Sequence, residues 1–97
     1  MKYIVMSVKQ NKVEGFSLEV PFMFPDAVVH LYMSTVAKLV CEEQWKNCEI
    51  KCISAGFFSS TALEANCYGK SESIGIKSRG ERDAYLIRNS DYGSIHV

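Results

Sequence analysis

The chain has 97 residues, 47% of them apolar, with eleven basic side chains matched by eleven acidic ones; that is one domain's worth of chain, with little core to spare. Such an apolar fraction excludes a disordered polymer. The charge balance, five of each sign in residues 1–48 and six of each in 49–97, excludes the broad positive field that draws proteins onto duplex DNA or anionic membranes.

Residues 2–9 (KYIVMSVK) read as a strand, with Tyr3, Val5 and Ser7 on one face and Ile4, Met6 and Val8 on the other. A polar turn at Gln10-Asn11-Lys12 leads to an alternating run over 13–20, so a hairpin is expected, ended by Pro21, which cannot donate to a ladder. Pro25-Asp26 has the composition of a helix entry. From about Asp26 to Trp45, Val28, Val29, Tyr32, Val36, Leu39 and Val40 recur at helical spacing and predict the face laid against the sheet. Asn47 breaks the helix. Residues 48–58 alternate Cys48/Ile50/Cys52/Ser54 against Glu49/Lys51/Ile53/Ala55 as a third strand. Residues 62–69 return as a fourth, with Leu63, Ala65 and Cys67 on its apolar face. Ser73–Ile76 suggests a short extended piece, and about Gly80 to Asn89 a second, shorter helix. In the tail, Ile95 and Val97 are suited to pairing at a sheet edge. The order ββαββα predicts a single α+β domain over 1–97, a mostly antiparallel sheet of about four strands with one long and one short helix on one side.

No apolar run approaches the roughly 20 residues that span a bilayer, and the opening MKYIVMSVKQ is too short in apolar content for a signal peptide. A cytosolic protein is expected. Its four cysteines (Cys41, Cys48, Cys52, Cys67) form no C-x-x-C pair and read as core thiols rather than disulfides or metal ligands. No metal or other cofactor is expected. Gly69-Lys70-Ser71 resembles the end of a phosphate-binding loop, but Glu64 stands where that motif needs glycine, and an interrupted Ser/Gly segment follows where it needs a helix.

The passage Ser71–Asp83 is the best candidate for chemistry. All three arginines (Arg79, Arg82, Arg88) lie within ten residues. Ser71, Ser73 and Ser78 supply hydroxyls, Gly75 and Gly80 allow close backbone approach, and Lys77, Arg79 and Arg82 supply positive donors. A helix start stabilises an anion, and arginine grips phosphate through two bonds at once. Interleaved Glu72, Glu81 and Asp83 equally allow surface ion pairs, and Ser78 with Glu81 has the spacing of a capping box. His30, early in the long helix, gains interest if the helix start faces this passage. Of Phe57 and Phe58, one ring is expected inward and the other outward, where it can stack on a base; Asn66 on the next strand is placed to read a base edge. No Ser-His-Asp grouping or histidine pair with metal spacing is present, so the residues point to binding rather than catalysis.

PFMFPDAVVH, KCISAGFF and CYGKSESIGIKSRGERDAYLI together resemble small bacteriophage proteins, the first described anti-Thoeris family, over roughly residues 20–90. The most specific matches are SAGF at Ser54–Phe57 and the passage Tyr68–Ala84. The resemblance implies a non-catalytic, homo-oligomeric sponge that binds cyclic ADP-ribose isomers, and in some members cyclic oligonucleotides at a separate site, in the cytoplasm of the infected bacterium. By position it implies that Phe57 or Phe58 stacks on the base, that Asn66 contacts it, that Arg79 or Arg82 holds the phosphates, and that His30 approaches from the helix. The alternative expectation is a protein–protein inhibitor of a host enzyme.

Overall fold

The computed structural model describes residues 1–10, 17–61 and 64–89, with the backbone of Ile95–His96. Its elements are β1 (Lys2–Gln10), β2 (Ser17–Phe24), α1 (His30–Gln44), β3 (Cys48–Ser60), β4 (Ala65–Tyr68), β5 (Lys70–Ser71), β6 (Ile76–Lys77), α2 (Glu81–Asn89) and β7 (Ile95–His96). The first four strands and β7 form one sheet in the order β4-β3-β1-β2-β7, and β5 and β6 form a separate hairpin. Every pairing of β1 to β4 is antiparallel. The tail joins parallel to β2, with Ile95 opposite Phe22. The polar turn expected at Gln10–Lys12, Leu63 and Val97 fall wholly or partly outside the described residues.

β1 is central, and its sequence shows why. Ile4, Met6 and Val8 are buried on one face, Tyr3 and Val5 on the other, each at most 1% exposed. A strand that is apolar on both faces requires cover on both. The helices supply it from opposite sides, not from one side as the strand order suggests. Met33, Ala37 and Cys41 of α1 pack on the Ile4/Met6/Val8 face. Ala84, Leu86 and Ile87 of α2 pack with Tyr3, Val5 and Cys67 on the other.

The structure departs from three local expectations. Pro21 does not end β2; it sits opposite Val5 and the strand runs on to Phe24, and among the described residues β7 pairs only with Phe22 and Met23, so no β7 partner calls on an N–H at Pro21. The segment from Pro25 forms a turn, with the Val28 N–H donating to the Pro25 carbonyl at 3.0 Å, and α1 begins only at His30. In β3 the register slips between Val5 and Met6, so that Met6 faces Cys52 but Val5 faces Ser54. The extra residue, Ile53, is a β-bulge. It turns Ala55 to the α1 face and Ser54 to the α2 face, the reverse of strict alternation.

Asn47 does break the helix, in a left-handed conformation (φ 63) that asparagine tolerates. No helix among the described residues is long and apolar enough to cross a membrane.

Candidate functional site

Three pieces meet at one end of the sheet: the start of α1, the Phe57–Tyr68 pair across β3 and β4, and the β5–β6 hairpin. Register sets the aromatic pair, since Phe57 lies opposite Tyr68, and their rings stack at 5.9 Å. Phe57 also meets the edge of His30 at 5.8 Å. The two phenylalanines do point to opposite faces, but neither is free in solvent: Phe57 is half-buried on the α1 side, and Phe58 packs into the α2-side core. The exposed ring here is Tyr68, 54% accessible at the sheet edge.

Gly56 and Gly69 make the approach possible. A Cβ on Gly56 would collide with the Tyr68 carbonyl oxygen, and one on Gly69, whose φ is +79°, would press within 3.0 Å of the Phe57 ring.

His30 is a packed residue. Its Nε2 lies 3.0 Å from the Gly56 carbonyl oxygen; since a carbonyl only accepts, Nε2 carries the proton. Burial pulls the imidazole below its usual range and the Lys2 charge adds to this, while the Gly56 carbonyl works against the shift without reversing it. His30 is therefore neutral at pH 7 and does not reach the loop. Its neighbour does: the Leu31 N–H donates to Ser73 Oγ at 3.1 Å, and Ser73 Oγ is 3.2 Å from Ser71 Oγ. Because Val29, at the N-cap of α1, makes no side-chain cap bond, Ser73 caps the helix from 42 residues away.

The hairpin sets Lys70 directly opposite Lys77 and Ser71 opposite Ile76. Gly75, at φ +68°, makes the turn, and its N–H donates to the Ser71 carbonyl at 2.9 Å. Lys70, Ser71, Glu72, Gly75, Ile76 and Lys77 line an open pocket of about 580 Å³. Like charges directly opposite on a two-stranded sheet destabilise it. Among the described residues no carboxylate forms an ion pair with either lysine, Glu72 included.

The arginines have a different task from the one expected of them. Arg79 forks onto Glu19 of β2, with Nη1–Oε2 at 3.1 Å and Nη2–Oε1 at 3.0 Å. Its Nε donates to Asp83 Oδ1 at 2.7 Å. Arg82 reaches the same Glu19 at 3.3 Å. Asp83, fully buried, also accepts from the Arg79 N–H at 2.9 Å and from the Tyr3 hydroxyl at 2.6 Å. The fork that was to hold phosphate holds carboxylates, and two positive charges are matched by two negative ones. Burial opposes the charge on Arg79, but Glu19 and Asp83 outweigh it and hold the guanidinium above its ordinary range.

Tyr3 completes this clamp. Its single proton goes to the Asp83 carboxylate, which leaves the Ser78 hydroxyl, also 2.6 Å away, to donate to the phenol oxygen. Burial first, then Asp83, pushes the Tyr3 hydroxyl above its usual range. The capping box expected of Ser78 and Glu81 does not form. Ser78 Oγ accepts instead from the Gly80 N–H at 2.9 Å, and Asp83 is the acid that reaches back from the first turn of α2.

No family model, curated protein or solved structure matches the chain.

Of the residues proposed from sequence, the fold thus gathers His30, Phe57, Ser71, Ser73 and Lys77 around the α1 start and the hairpin. Arg79 and Arg82 lie in the Glu19 clamp and Phe58 in the opposite core. Asn66 is exposed, beside Glu64 at 3.4 Å. It lines a separate hollow of about 340 Å³ with Cys67, Glu81 and Arg88. Sequence reasoning missed Tyr68 and Lys70. The signal was there in Gly69, which precedes the hairpin, and Gly75, which ends its four-residue turn at 72–75 and so sets Lys70 against Lys77. Cys41, Cys52 and Cys67 are raised by burial to about 11, which keeps them as unreactive thiols at neutral pH. Among the described residues no cluster of His, Cys, Asp or Glu is arranged to hold a metal ion.

Proposed function

We propose that the chain is a binding protein that captures a small phosphorylated nucleotide and holds it intact. The observation that carries this is the opposed Lys70–Lys77 pair, which lacks an ion-paired acid among the described residues and lines an open pocket with Ser71 and Gly75. A bound phosphate relieves the repulsion between the two ammonium groups, and each charge-assisted hydrogen bond to it adds about 1.5–3 kcal/mol. Tyr68, exposed one residue before the hairpin's glycine, offers a face on which a base can stack, worth about 1–3 kcal/mol. The anion site thus moves from the arginines to the hairpin, while its ligand class stays the one the resemblance implies: a cyclic ADP-ribose isomer, with cyclic oligonucleotides as the second class. The biological role that follows is that of a phage counter-defence protein, acting in the cytoplasm of the infected bacterium to remove a nucleotide immune signal without cleaving it.

The test is titration calorimetry with cyclic ADP-ribose isomers, cyclic trinucleotides and inorganic phosphate, followed by heat release and chromatography of the ligand. Uptake of a nucleotide, its recovery unchanged, and at least tenfold weaker binding in Lys70→Ala and in Lys77→Ala are expected. No uptake of any of them, or equal affinity in both lysine variants, counts against the site. New products after incubation would make the protein an enzyme instead.

A further inference from the structure

Of the six residues that periodicity assigns to the buried face of α1, Val28 and Val36 pack against the core and the other four lie outside. His30, Met33, Ala37 and Cys41 face the sheet, while Val29, Tyr32, Leu39 and Val40 are 52, 67, 62 and 42% exposed. With Val36, half-buried where it packs against the core, they form an apolar stripe along one side of the helix, apart from the exposed Leu31. We propose that this stripe is where two copies of the chain associate, pairing α1 with α1 antiparallel about a two-fold axis at Val36.

Two observations select a second copy as the occupant. The first is spacing. Positions 29, 32, 36, 40 and 43 are separated by three, four, four and three residues, a pattern symmetric about Val36. A two-fold antiparallel pairing therefore sets Val36 against its own copy and Tyr32 against Val40, with Leu39 alongside.

The second is charge. The same pairing sets Glu43 of each copy beside Val29, at the start of the other's helix. Within one chain the ends of α1 are poorly matched to its dipole: the first turn carries no acid and the last no base, and Glu42 and Glu43 stand exposed at the negative end, with Glu43 in a solvent-exposed pair with Lys46 at 3.8 Å that is worth little. Antiparallel pairing brings those carboxylates to the positive end of the neighbouring helix, where they are stabilising. The exposed apolar side chains and the helix-end carboxylates, weakly compensated within one copy, both gain partners from a second copy in this arrangement.

Analytical ultracentrifugation of the whole chain at a concentration on the order of 100 μM is expected to give the mass of two 10.9 kDa chains. Tyr32→Lys and Leu39→Lys, both at exposed positions, are each expected to weaken association at least tenfold with the circular dichroism unchanged, and Glu43→Lys to weaken it by a smaller factor. A single-chain mass for the wild type, or an assembly indifferent to both lysine substitutions, overturns the proposal. Should either lysine variant unfold, oxidative cross-linking decides. A mixture of Tyr32→Cys and Val40→Cys chains yields the mixed product if the helices are antiparallel; products linking only like with like overturn that geometry.

Discussion

His30 shows how a side chain suited to chemistry can be committed to packing. Its ring lies perpendicular to those of Phe24 and Phe57, 5.3 and 5.8 Å away, with one nitrogen on a buried carbonyl. The folded state therefore resists its protonation and the unfolded state does not, so stability depends on pH with a definite sign. Above the unfolded value of about 6.5 both states are neutral at this position and the contribution is complete. As the pH falls through 6.5 the unfolded chain takes up a proton that the folded one refuses, and stability drops until the lowered folded value is passed. Urea unfolding followed from about pH 7.5 to 5 should show this loss, and His30→Gln, which keeps a donor for Gly56, should flatten it. An unchanged slope in the variant would place the titrating group elsewhere. From sequence, His30 was placed early in the long helix, of interest if the helix start faced the serine-rich loop; the start does meet that loop, through Leu31 and Ser73, while His30 turns to Gly56. Its ring direction was not legible, because it depends on Gly56 of β3, 26 residues away.

At the scale of elements, α2 is held by the clamp more than by its own nine residues, too few for a helix to persist alone. Asp83 joins its first turn to Tyr3 of β1, while Arg79 and Arg82 join the entry to Glu19 of β2. Asp83→Asn leaves Arg79 and Tyr3 with one neutral partner in place of a carboxylate that served both. The cost is expected near 3 kcal/mol, the low end for breaking a buried pair, because Arg79 keeps Glu19. Glu19→Gln, at a carboxylate 26% exposed, should cost about 1 kcal/mol. Urea midpoints at constant slope would measure both, and the reverse order would mean that Glu19 is the anchor. The sequence displayed every acid and base of this clamp. It did not reveal their pairing, since Glu19 and Arg79 are 60 residues apart and an arginine reads the same whether it faces phosphate or glutamate. The face of α1 was misread in part, for a related reason; of its expected residues only Val28 and Val36 pack against the core. Apolar residues lie on both sides of that helix, and the buried side is the one with the smaller or more polar set of His30, Met33, Ala37 and Cys41, so periodicity favoured the outer stripe.

For the whole molecule, stability should be layered outward from β1. That strand has neighbours on both edges and a helix-covered core on both faces, so its amides open to solvent only when the protein unfolds as a unit. β4 is a four-residue edge strand paired along one side, and the β5–β6 hairpin has two residues per strand. Isolated hairpins of that size have little stability of their own; this one is tied down by Ser73 on α1 and by Ile74 and Ile76 against the core. Hydrogen exchange should accordingly place Ile4, Val5 and Met6 amides at the global unfolding free energy and those of Asn66, Lys70 and Lys77 well below it. Denaturant should bring the slow group down with the full unfolding slope and leave the fast group nearly flat. If a phosphorylated ligand binds at the hairpin, it should slow Lys70 and Lys77 selectively before it affects β1, because closing the pocket suppresses the local opening first. Uniform slowing of every amide by the same factor would mean that the hairpin opens only together with the core, and that the layered description is wrong.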